Sequence, residues 1–105
     1  MLREFFLGFI KIHMLYHAEK ESYCGVDIIK ELGRHGYSIG PGTIYPILHK
    51  MEGEGYLLKE KRVENGRLRI YYRATKKGKS TLEDVKSKIQ ELVSEVLEEK
   101  QRYSH

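Results

Sequence analysis

Asn65-Gly66 stands between two runs, residues 56–64 and 67–75, that have the composition of strands. Asn-Gly is the strongest two-residue hairpin signal, because a type I′ turn needs φ > 0 at both central positions. In the second run Leu68, Ile70, Tyr72 and Ala74 alternate with Arg67, Arg69, Tyr71 and Arg73. Strict alternation predicts one buried face and one exposed, strongly basic face.

The rest of the chain reads as helix. Over residues 2–18 the apolar side chains, Phe5, Phe6 and Phe9 among them, cover most of a helical circumference. Such a helix is buried on more than one side, and in a chain of 105 residues a second subunit most easily supplies the extra surface. A second helix is expected over residues 22–35, with Ser22 as N-cap and Gly36 as its stop. A third starts at Pro41, where proline's fixed φ and missing N–H cost little. Ile44, Ile47, Leu48 and Met51 give it one clean apolar face, and Gly53 and Gly55 end it.

The last helix spans about residues 76–100, with Ser80 and Glu83 as a capping box if it starts a turn later. Leu82, Val85, Ile89, Leu92 and Val96 repeat at spacings of three and four, close to a heptad seam, which calls for self-association. The order is helix, helix, helix, hairpin, helix. It predicts a mainly α fold with a small β-hairpin (α+β), a winged helix-turn-helix with N-terminal and C-terminal dimerisation helices. Residues 1–78 would form the DNA-binding part, 79–101 the C-terminal dimerisation helix of the same compact unit, and 102–105 a disordered tail.

Charge supports that reading through its distribution rather than its total. The chain holds 19 Lys+Arg against 15 Asp+Glu. Residues 1–42 balance, five against five, whereas residues 43–79 carry ten basic side chains against four acidic ones. A positive middle third suggests a polyanion-binding face. With 32% charged residues and Arg3, Glu4 and Lys11 interrupting the apolar N-terminus, no membrane span is expected, and that segment lacks the order of a secretory signal. Cys24 is the single cysteine, so no disulfide framework is expected and a cytoplasmic location is the default.

In a helix-turn-helix the second helix of the motif enters the major groove while its other face packs on the core. With the apolar face inward, Gly42, Thr43, Tyr45, Pro46, His49 and Lys50 are left for the groove. Thr43, Tyr45 and His49 offer hydrogen-bonding groups, and Lys50 reaches phosphate or a guanine edge. The hairpin is the wing, with Arg67, Arg69 and Arg73 as phosphate contacts. Lys76 and Lys77 open the last helix, where the dipole disfavours cations, and DNA phosphate would relieve that conflict. The predicted dimer interface comprises Phe5, Phe6 and Phe9 with Leu82, Val85, Ile89, Leu92 and Val96.

Three stretches carry a family resemblance: Ile39-Gly40-Pro41-Gly42-Thr43-Ile44-Tyr45-Pro46-Ile47-Leu48, then Glu54-Gly55-Tyr56-Leu57, then Arg69-Ile70-Tyr71-Tyr72-Arg73-Ala74-Thr75-Lys76-Lys77-Gly78. Together they resemble the PadR family of transcriptional regulators, over about residues 8–100. The resemblance implies a homodimeric winged-helix repressor on an inverted-repeat operator in double-stranded DNA. It maps groove-facing roles onto Thr43 and Tyr45, wing roles onto Arg67 and Arg69, and dimerisation onto the segment after Gly78. The single C-terminal helix resembles the smaller branch, in which a dimer-interface pocket sometimes binds flat aromatic compounds. Phe5, Phe6 and Phe9 either form plain interface core, the ordinary role of an aromatic stripe at helical spacing, or line such a pocket and admit a hydrophobic or aromatic effector. The sequence departs from the family in reading Gly25-Val26-Asp27 for a glycine-tyrosine-glutamate run, and in having Gly40 where a serine commonly precedes the proline.

Other chemistries find little support. Gly40-Pro41-Gly42-Thr43 lacks the Gly-Lys-Ser/Thr ending of a phosphate loop, and no nucleophile–base or paired-carboxylate arrangement stands out, so no enzyme is expected. No cofactor and no metal are expected either. His13 and His17, one helical turn apart, read as part-buried helix histidines rather than ligands, and Cys24 as a buried thiol. The competing function is a winged-helix protein-interaction module whose basic wing meets an acidic partner in a larger assembly.

Overall fold

In a computed structural model of the protein, which describes residues 1–98, the order is α1 (Leu2–Lys20), β1 (Tyr23–Cys24), α2 (Gly25–Arg34), α3 (Pro41–Gly53), β2 (Leu57–Glu64), β3 (Arg67–Ala74) and α4 (Lys76–Val96). The expected tail, 102–105, and the end of the expected last helix lie outside the described residues.

The hairpin forms where Asn-Gly requires it, with φ +52° at Asn65 and +76° at Gly66 and Glu64 paired to Arg67 across the turn. A third strand joins it. Tyr23 and Cys24 pair antiparallel with Tyr72 and Tyr71, which puts β3 at the centre of a three-stranded sheet ordered β1-β3-β2. This corrects the expected start of the second helix. Ser22 is not its N-cap, because residues 23–24 are extended and the Asp27 carboxylate accepts from the Cys24 backbone N–H (3.3 Å) and thiol (3.1 Å). The buried Tyr23 hydroxyl donates to the Met14 carbonyl at 2.9 Å and so ties β1 to α1.

One core joins all the layers: Ile10, Met14 and Leu15 of α1, Ile28 and Leu32 of α2, Ile44, Leu48 and Met51 of α3, Leu57 and Tyr72 of the sheet, and Leu82 of α4. The inward row of β3 is buried only at its base. Tyr72 and Ala74 are covered, whereas Leu68 is 60% exposed because the hairpin extends past the core.

α4 begins at Lys76, not Ser80. Thr75 is its N-cap: the Thr75 hydroxyl accepts from Gly78 N–H (3.0 Å) and donates to the Gly55 carbonyl (2.6 Å). Gly78 is buried where a Cβ would overlap the Tyr56 carbonyl oxygen. The helix thus starts pinned to the turn after α3 and then leaves the body. Leu82 is 1% exposed within the single chain, so it belongs to the protomer's own core and not to the expected interface. Val85 is half-buried, and from Lys86 to the last described residue every side chain is exposed.

His13 and His17 of α1 meet His35, the C-cap of α2. Burial, reinforced by the other imidazoles, pushes the pKa of His13 below the ordinary histidine value. Burial does the same to His17, partly offset by Glu31. Among the described residues no helix is long and apolar enough to cross a membrane.

Candidate nucleic-acid interface

α3 presents one face to the core and the other to solvent. Ile44, Leu48 and Met51 are buried and Ile47 is half-buried, which leaves Gly42, Tyr45, Pro46, His49 and Lys50 exposed and Thr43 partly so. At 3.6 residues per turn, Gly42, Pro46 and His49 lie roughly opposite the buried row. Gly40 caps the helix with no side-chain hydrogen bond, as expected from the missing serine. Pro46 lies inside the helix rather than in its first turn, and it has no N–H to give the Gly42 carbonyl.

The outward residues divide. The Tyr45 ring rests on Gly25, where any Cβ would overlap it, so the absent side chain at the start of α2 creates its seat. In the sequence Gly25 stands out only through the Gly25-Val26-Asp27 departure from the family run; its role as the seat of a ring shows only in the packing of α2 against α3. Pro46 and Lys50 instead form the rim of a cleft of about 390 Å³ between α1, α3 and α4, whose floor includes Leu15, Ile47, Met51 and Leu82. Phe5, Phe6 and Phe9 do not line it; they stand exposed along the first half of α1.

The wing approaches α3 at Lys59, whose Nζ lies 3.9 Å from Glu52, a weak surface pair. Its register places Arg62 opposite Arg69 and Glu64 opposite Arg67, on the same face as Tyr71 and Arg73. That face is basic but not purely so. Arg62 donates to Glu60 at 2.6 Å and covers the Tyr71 ring, 4.2 Å from its centroid. The Tyr71 hydroxyl donates to Glu64 at 2.8 Å, a bond that raises its pKa. Arg69 is held between Glu64 (3.7 Å) and the buried Cys24 sulfur (3.8 Å). Arg69 is therefore engaged within the protomer, whereas Arg67 and Arg73 have no ion-pair partner among the described residues. Arg62, one of the ten basic side chains of residues 43–79 but not among the expected wing contacts, shares their face.

The lysines at the start of α4 also differ from one another. The Lys77 amine donates to the Glu54 carbonyl at 2.7 Å and lies 4.5 Å from the Tyr56 ring centroid, so it caps the end of α3. A cation at a helix C-terminus meets the favourable end of the dipole. Lys76 is exposed and without a partner among the described residues. Its charge remains in the first turn of α4, where the helix disfavours it.

Known proteins share this geometry. A family model described as "Transcriptional regulator PadR-like family" matches residues 14–84. The Mycobacterium tuberculosis protein named Transcriptional regulator Rv3488 is 43% identical over 96 residues, covering 91% of this chain and 90% of the relative. Among solved structures, a PadR family transcriptional regulator from Eggerthella lenta superposes with a TM-score of 0.81 at 29% identity, over 91% of this chain and 85% of its own. Bacillus subtilis PadR, solved in complex with operator DNA, matches with a TM-score of 0.62 at 28% identity, over 70% of this chain and 43% of its own.

Proposed function

The chain belongs to the PadR-like family of transcriptional regulators, and from that premise we propose that it acts as a cytoplasmic homodimer that reads an inverted-repeat operator and represses transcription. The family is one of regulators, not enzymes. In this reading α3 enters the major groove with Thr43, Tyr45, His49 and Lys50, while Arg67 and Arg73 of the wing and Lys76 of α4 meet phosphate. The observation that carries it is an α3 whose back is in the core and whose front is free, joined to a hairpin holding arginines without protein partners. The solved operator complex of the Bacillus relative supports the same use of the fold.

The dimer reading rests on the free part of α4. Ile89, Leu92, Val93 and Val96 repeat along the stretch of α4 from Lys86 onward, whose side chains are all exposed in the protomer, and Phe5, Phe6 and Phe9 add exposed apolar surface on α1, which packs against α4. Burying that surface needs a second copy of the chain. The cleft rimmed by Pro46 and Lys50 is of a size that takes a small hydrophobic or aromatic ligand. An effector there would act directly on α3.

The test is fluorescence anisotropy with labelled duplexes across a salt series. Affinity falls steeply with salt, by several counterions' worth per dimer. Arg67→Ala weakens specific and random DNA alike and flattens the salt slope by about one unit for each phosphate no longer neutralised. Thr43→Ala and His49→Ala each cost about 1–3 kcal/mol on the preferred sequence and change which bases are preferred. Gly25→Ala drives the Tyr45 ring off its seat; stability stays within about 1 kcal/mol because a flexible ring tip yields, while DNA affinity falls. A flat salt response would point to a protein-interaction module instead.

A further inference from the structure

Three histidines converge at one place that the DNA-binding reading does not use. His13 and His17 stand one turn apart on α1, and the end of α2 brings His35 to them. The His13 and His35 rings stack at 4.6 Å between centroids, and His17 lies 6.1 Å from His35 and 6.4 Å from His13. One ring nitrogen from each lies within 4.8 Å of the other two. His17 Nε2 is buried and has no hydrogen-bond partner, an arrangement that protein interiors avoid unless something else satisfies the atom. Glu31 adds a carboxylate, with an oxygen 3.5 Å from His35 Nε2.

We propose that His13, His17 and His35, with Glu31 beside them, bind one divalent transition-metal ion of the zinc class between α1 and the end of α2. Imidazole donors suit zinc, copper, nickel and cobalt and disfavour magnesium and calcium, which prefer oxygen. Zinc–nitrogen bonds of about 2.0–2.1 Å in a tetrahedral site put ligand atoms roughly 3.3 Å apart. Rotations about the side-chain bonds that turn the stacked rings toward a common point close the present spacing to that value. The orphaned His17 nitrogen would gain the ion as its partner. Glu31 either takes the fourth position or orients His35 from outside it. The ion would join α1, which carries the exposed phenylalanines, to α2, on which Tyr45 rests.

Calorimetric titration of the tag-free, chelator-stripped full chain tests this. Zinc gives saturable binding of one ion per chain, and magnesium gives none. His13→Gln and His35→Gln each weaken zinc binding by at least about tenfold, with the metal-free circular dichroism unchanged. Proton–nitrogen correlation spectra of the wild-type chain locate the site without any substitution: the ring signals of His13, His17 and His35 move on adding zinc, and that of His49 does not. No saturable binding up to millimolar zinc, undiminished binding in folded His13→Gln and His35→Gln, or zinc shifts confined to other histidines would overturn the proposal.

Discussion

Replacing Ile89 and Leu92 together by aspartate yields a monomer whose affinity for a two-half-site duplex falls by about a hundred- to ten-thousand-fold, the advantage that linking two binding modules confers. Leu92 is 58% and Ile89 41% exposed in the protomer, so neither supports the fold of the single chain. Two carboxylates facing their counterparts in an apolar seam combine desolvation with like-charge repulsion. Sedimentation equilibrium reports the mass, and circular dichroism confirms that the helices remain. A variant still dimeric would move the interface from the seam of α4 to the phenylalanines of α1 or elsewhere.

The second large effect is on stability. Gly78→Ala lowers stability by about 2–4 kcal/mol, from the upper part of the roughly 1–3 kcal/mol usual for overpacking to just above it, because the obstacle cannot relax. For a domain of this size that is a fall in Tm of roughly 10–25 °C. Intrinsic helix propensity argues the other way, since alanine is favoured over glycine by about 1 kcal/mol within a helix. The steric term wins because the obstacle is backbone. A Cβ at Gly78 meets the Tyr56 carbonyl oxygen, itself held by the Thr75 N–H at 3.1 Å, with Leu15 Cδ1 at 3.1 Å on the other side. Gly33, also helical, has nothing within 4 Å of a Cβ. Gly33→Ala is therefore neutral or stabilises by up to about 1 kcal/mol, and thermal melts of the two variants should shift in opposite directions. Equal effects at both would mean that propensity, not the clash with Tyr56, governs Gly78.

Where a local signal decides a structure alone, the sequence was readable. Asn65-Gly66 determined the turn and its register, and proline at position 41 with the Ile44, Leu48 and Met51 spacing determined α3 and its buried face. What escaped depends on contacts between distant segments. Tyr23-Cys24 is too short for any periodicity to announce, and it is a strand only because β3 lies alongside. Leu82 continues the apolar row of α4 in sequence, yet α4 is still against the body there, so the first member of that row went to the core. Lys77 and Arg69 read as free cations until the Glu54 carbonyl and the Cys24 sulfur were brought to them. His35 was invisible beside His13 and His17, because only the packing of α2 against α1 makes the pair a triplet.

The proposed function requires α3 to be the reading element of a symmetric dimer. The direct measurement is selection of bound sequences from a random duplex pool by the wild-type chain, repeated with His49→Ala. The expected result is a palindromic consensus with half-site centres about one helical turn apart, with the variant changing the preferred bases at the same position in both half-sites. No enrichment, or a consensus indifferent to substitution on α3, would contradict it.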